Sequence, residues 1–83
     1  MKKSIWDHNY TVLRKELKSI RKKAGLTQAQ LAQLLEKNQS HVAKYELGDR
    51  NLDYLEVINV CNLCGVVPED FMKAFRLLIE QKK

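Results

Sequence analysis

Apolar residues recur along this chain at helical spacing. In YTVLRKELKSIRKKAGL, residues 10–26, Leu13, Leu17, Ile20 and Ala24 fall three or four apart, with Arg14, Lys15, Lys18, Lys22 and Lys23 off that stripe. The pattern predicts an amphipathic helix that Gly25 ends as its C′ residue. TQAQLAQLLE opens on Thr27 with Gln30 three residues on, a capping box, and Leu31, Leu34 and Leu35 form the stripe expected to be buried. Asn38 caps a third helix, which Gly48 stops. Asp53 with Glu56 repeats the box ahead of YLEVINVCNLC, closed by Gly65. Pro68 suits the first turn of a last helix, with Glu69 and Asp70 near its positive end and a broad apolar side of Phe71, Met72, Phe75, Leu78 and Ile79. Five helices with short joints make an all-α fold. Ile5 and Trp6 are too apolar for a free arm and are expected to pack on the bundle, while the tail Gln81–Lys83 is expected to fray.

The third helix divides into unlike faces. Wound from Asn38, KNQSHVAKYELGDR projects Gln39, Ser40, Ala43, Lys44 and Leu47 to one side and Val42 and Tyr45 to the other. The joint to the second helix is only about three residues long, the length of the turn in a DNA-binding helix-turn-helix, here spanning about 28–47. Leu31, Val42 and Tyr45 would fill the angle between the helices, and Ala32 is small where the third crosses close to the second. The outward face suits a major groove, which admits one helix and displays a full donor and acceptor code.

Composition narrows the classes. Eighty-three residues make one small domain, 1–83, with a modest core, and one Pro and three Gly argue against a sheet-rich fold with many tight turns. The net charge of +5 is uneven: residues 1–50 hold 11 Lys/Arg against 5 Asp/Glu, and residues 51–83 hold 4 against 5. The N-terminal part is therefore the one suited to a polyanion. Cys61 and Cys64 cannot staple a secreted mini-protein. Their CxxC falls at the end of a helix, where a redox pair does not belong, and no second cluster completes a zinc site, so they read as core filling with no metal. No apolar run approaches the roughly 18 residues that span a membrane, and the charged start lacks a signal peptide's apolar stretch, so a reducing cytoplasm is the expected setting. His8 and His41 stand apart without a Ser or carboxylate constellation; no catalytic residue, cofactor or enzyme activity is expected.

GLTQAQLAQLL followed by NQSHVAKYELGDRNLD resembles the lambda-repressor/Cro-like helix-turn-helix regulators, the xenobiotic-response-element type, over about Tyr10 to Val66. The resemblance implies a compact five-helix DNA-binding domain and a homodimeric bacterial, phage or mobile-element transcription regulator that binds an inverted-repeat operator. Carried over by position, Gln39, Ser40 and Lys44 become base readers: Gln suits adenine, Lys the guanine acceptors, and Ser is permissive. Ala43 on the same face can meet a thymine methyl. His41, at the edge of that face, goes to a phosphate, as does Gln28 at the first turn of the second helix; Lys37, Arg50 and Asn51 are further backbone candidates. The family likeness also implies that Arg21 pairs with Glu46 as a structural pair. One departure stands out: the family pattern has Gly at the turn, where this chain has Glu36 and Lys37, and a left-handed Glu36 costs about 1 kcal/mol relative to Gly.

The fourth helix is apolar nearly all round, with Val60 and Leu63 on the side away from Leu55, Ile58 and Cys61. Either the last helix covers them or they join Phe71, Phe75, Leu78 and Ile79 in a dimer seam. The leading expectation is a dimeric repressor or autoregulator reading double-stranded DNA through its third helix. The alternative is an antitoxin or protein-interaction module that binds a partner protein through the last helix, with or without DNA.

Overall fold

Helix ends in this chain are fixed by local chemistry that repeats. A computed structural model describes the backbone over residues 5–81 and the side chains over residues 8–81. The order is α1 (Ile5–Lys23), α2 (Gln28–Leu34), α3 (Gln39–Leu47), α4 (Tyr54–Leu63) and α5 (Pro68–Glu80). The packing of Ile5 and Trp6 and the state of Lys82 and Lys83 lie outside the described residues. Thr27 Oγ1 accepts the Gln30 N–H at 3.0 Å while Gln30 Oε1 accepts the Thr27 N–H at 2.9 Å, so one box satisfies two otherwise free donors. Asp53 and Glu56 do the same for α4 at 2.8 and 3.0 Å.

The C-terminal ends of α1 to α4 share one closure. Leu26 N–H reaches Arg21 O, Lys37 reaches Ala32, Asp49 reaches Lys44 and Val66 reaches Cys61, at 2.8 to 3.2 Å, each around one residue with positive φ. Gly25, Gly48 and Gly65 supply that residue three times; at the end of α2 it is Glu36, with φ 62°. The helix-turn-helix joint thus keeps the geometry that glycine favours and carries a side chain in it.

The core joins all five helices. Leu17 of α1, Leu31 and Ala32 of α2, Val42 and Tyr45 of α3, Val60 and Cys61 of α4, and Phe71 of α5 are buried, and Leu52 plugs the loop between α3 and α4. α1 touches α3, α4 and α5, and so acts as the spine against which the helix-turn-helix and the C-terminal pair are set. Three expectations need correction. Leu34 is 50% exposed, because the seven-residue α2 turns only Leu31 and Ala32 fully inward. Ala24 is also exposed, beyond the end of α1. Val60 is wholly buried and Phe71 is 7% exposed in the core that all five helices share, so the folded monomer does not offer either on its surface for a dimer seam. Of the remaining seam candidates, Leu63 is 37% exposed, and Phe75, Leu78 and Ile79 are half-buried.

Candidate nucleic-acid interface

α3 is anchored from below by Val42 and Tyr45, both at 0% exposure, which leaves its opposite face to solvent. Gln39, Ser40 and Lys44 are exposed there, Ala43 is half-buried, and Leu47 is 75% exposed at the far end. Ser40 Oγ donates to Asn38 Oδ1 at 2.7 Å, and the same oxygen accepts the His41 N–H at 3.3 Å, so the cap holds the first turn and orients the Ser40 hydroxyl. Gln39 and Lys44 form no side-chain hydrogen bond or ion pair with any described residue. A free amide and a free ammonium on one exposed helix face are groups poised for an outside partner.

A buried network sets the angle of that helix. Arg21 Nε donates to Glu46 Oε2 at 2.8 Å and Nη2 to Oε1 at 3.1 Å, a forked pair whose side chains are 8% and 3% exposed. Arg21 Nη1 donates to Leu26 O at 2.8 Å, and Gln28 Nε2 donates to Glu46 Oε1 at 2.9 Å. The Glu46 carboxylate therefore ties α1, α2 and α3 at one point. A buried pair so fully bonded is costly to halve, because the surviving charge stays buried without its partner. Gln28, assigned from sequence to a phosphate, spends one amide N–H on Glu46 and is held half-buried at the start of α2.

The remaining phosphate candidates divide. Lys37 and Asn51 are exposed beside the two ends of α3. His41 and Arg50 turn toward each other and toward Glu56 of α4: Arg50 Nη1 lies 3.1 Å from Glu56 Oε2 and 3.2 Å from His41 Nε2, which itself lies 3.1 Å from Glu56 Oε2. His41 Nε2 donates to the carboxylate when it carries the proton and accepts from Arg50 when it does not. Burial, followed by the Arg50 charge, holds the His41 pKa below its ordinary value of 6.5. Burial alone would raise that of Glu56, yet the Asp53 N–H and the Arg50 guanidinium outweigh it and keep the carboxyl below its usual range. His41 Nε2 is thus occupied within the protein rather than turned outward.

Two contacts escaped sequence reading. Glu56 showed only as the second half of a capping box; nothing in its spacing announced the Arg50 pair across the loop. Arg14, assigned simply to the polar side of α1, brings its guanidinium to the end of α3, where a Cβ built on Gly48 would stand 2.9 Å from its Cζ. A cation there suits the negative end of the helix. On α4, burial pushes the Cys61 thiol up to about 11 and raises that of Cys64, so neither carries much thiolate at neutral pH. Among the described residues no helix is long and apolar enough to cross a membrane.

Comparison with known proteins adds two findings. A family model described as helix-turn-helix matches residues 17–72. The fold is similar to the solved structure of an XRE-family like protein from Pseudomonas syringae pv. tomato, at 32% identity and a TM-score of 0.84, covering 89% of this chain and 90% of that one. No curated protein matches.

Proposed function

The chain belongs to the helix-turn-helix family of DNA-binding transcription regulators, of the XRE type, and from that premise we propose that it is a dimeric repressor or autoregulator that reads an inverted repeat through α3. The observation that carries the reading is the exposed row Gln39, Ser40 and Lys44 on a helix held rigidly by Val42 and Tyr45. Gln39 and Lys44 read base edges, Ala43 lets the helix settle deep in the groove, and Gln28, Lys37, Arg50 and Asn51 meet phosphates on either side. Repression requires only occupancy of a promoter, and the chain's charge of +5 favours the duplex.

Selection of bound sites from a random duplex pool tests this directly. The expected result is a near-palindrome with half-sites about one helical turn, roughly 34 Å, apart. It should bind at least about a thousandfold more tightly than a scrambled duplex. The log–log salt slope should be on the order of −5 or steeper for the dimer. Weak, salt-sensitive binding to every duplex with no enriched motif would leave only a basic surface and would move attention to a protein partner.

A further inference from the structure

The Glu56 carboxylate performs two tasks that need different chemistry. Its Oε1 accepts the Asp53 N–H at 3.0 Å and closes the capping box of α4. That task needs a neutral acceptor and no charge, as Gln30 shows by doing it for Thr27 at 2.9 Å. The negative charge of Glu56 is therefore not required by the cap. It faces Arg50, whose Nη1 and Nη2 lie 3.1 and 3.4 Å from its two oxygens, with His41 packed alongside. The guanidinium stands beside the first turn of α3, since Arg50 Nη1 is 3.2 Å from His41 Nε2.

We propose that Glu56 is an internal counter-anion that competes with DNA phosphate for Arg50, so that contact at the loop between α3 and α4 requires an ion pair inside the protein to open. The proposal rests on the DNA-binding reading above and concerns one of its phosphate contacts. The pair is 35% and 22% exposed, which makes it weak enough to be exchanged for a phosphate. While it stands, Arg50 and Glu56 together carry no net charge, and a phosphate arriving there releases no counterion on their account. Phosphates carry no base identity, so Glu56 lowers affinity for every duplex alike. It is a brake on binding that leaves the choice of sequence to α3.

Glu56→Gln separates the two tasks, because Gln keeps the acceptor for Asp53 and removes the charge. Binding to the selected operator and to a scrambled duplex is titrated from about 50 to 200 mM salt for wild type, Glu56→Gln, Arg50→Ala and the double variant, with thermal unfolding recorded for each. Glu56→Gln is expected to bind the scrambled duplex about three- to tenfold more tightly at low salt, with a log–log slope steeper by about 0.9 per subunit. Both effects should vanish in the Arg50→Ala background. A folded Glu56→Gln protein with the wild-type slope overturns the proposal while the DNA-binding reading stands. So does a gain that persists without Arg50, which would mark a diffuse charge effect. If wild type binds no duplex at all, the DNA-binding reading falls and takes this proposal with it.

Discussion

Lys44 has no carboxylate partner among the described residues and stands on the exposed face of α3, so its charge is available to a ligand without first being released. On the proposed reading, Lys44→Ala should weaken operator binding by about 1 to 3 kcal/mol and relax the preference at one position of each half-site, measured by titrating the selected operator and its single-base variants. Unchanged affinity would mean that the reading face lies elsewhere. Tyr45, the residue after Lys44, points to the opposite side and is a different case. Its ring is fully buried, burial raises its pKa, and its hydroxyl finds no hydrogen-bond partner among the described residues. Tyr45→Phe removes an unpaired polar atom and keeps the packing, so urea unfolding should show it neutral or more stable by up to about 1 kcal/mol. A clear loss would show that the hydroxyl is satisfied in solution. The acid side of the stability curve belongs to His41 and Glu56. Because the folded His41 pKa lies below 6.5, the unfolded chain takes up that proton first, and the stabilisation present above 6.5 is lost as pH falls through the folded value. Glu56, also lowered, holds its contribution down to about its usual 4.5 and loses it as pH falls through its own folded value. Urea midpoints at pH 7.5 and 5.5 should fall for wild type and fall less for His41→Gln.

At the level of elements, the end of α2 is where this chain departs from its own habit. Three other helices close around a left-handed glycine, while α2 closes around Glu36 at φ 62°, with Lys37 N–H on Ala32 O at 2.9 Å. Glu36 is exposed, so little is lost with its side chain, and Glu36→Gly should stabilise the fold by about 1 kcal/mol in denaturant unfolding. Gly48→Ala supplies the opposite control, since φ is 95° there and a Cβ would press on Arg14. Equal midpoints for Glu36→Gly and wild type would show that the turn relaxes in solution. The caps and stops were legible because each depends on residues no more than three apart: Thr27 with Gln30, Asp53 with Glu56, Gly48 after Leu47. The inner face of α3 was legible for the same reason, as the wheel that put Val42 and Tyr45 together needs no knowledge of any other helix. Periodicity tells which residues share a face and not which element lies over it, so it placed Leu34 wrongly in the core and left Val60 open between cover by the last helix and a dimer seam. Val60 is a seam candidate on the helical wheel alone and ceases to be one once it is seen buried in the core. The Arg50 and Glu56 pair failed for a related reason: both residues were visible, but the bend that brings them together is set by Leu52 entering the core.

For the whole molecule, the question is what covers the apolar surface that five helices leave open. Met72 is 46% exposed, and Met72, Phe75 and Ile79 follow one another along one line of α5 at helical spacing. Beside them a groove of about 590 Å³ runs between α1, α4 and α5, with Leu13, Leu52, Tyr54 and Val57 among its walls. On the proposed reading this apolar surface is the candidate contact site. An inverted repeat needs two copies of α3 held at a fixed separation, so a second copy of the chain is the partner that fits the proposed function. If α5 forms that seam, unfolding is linked to dissociation, and the wild-type melting temperature should rise with protein concentration. Met72→Asp places a charge in the seam at a position that the folded monomer already exposes, so the helices should still form. Sedimentation should then give half the wild-type mass, and the melting temperature should lose its dependence on concentration. Operator affinity should fall about a hundredfold or more, because each α3 must bind its half-site alone. Affinity for an isolated half-site, which needs only one α3, should scarcely change. A Met72→Asp protein that stays dimeric and keeps its operator affinity would exclude this face of α5 and direct the search to the exposed Leu34 and Leu63 between α2 and α4.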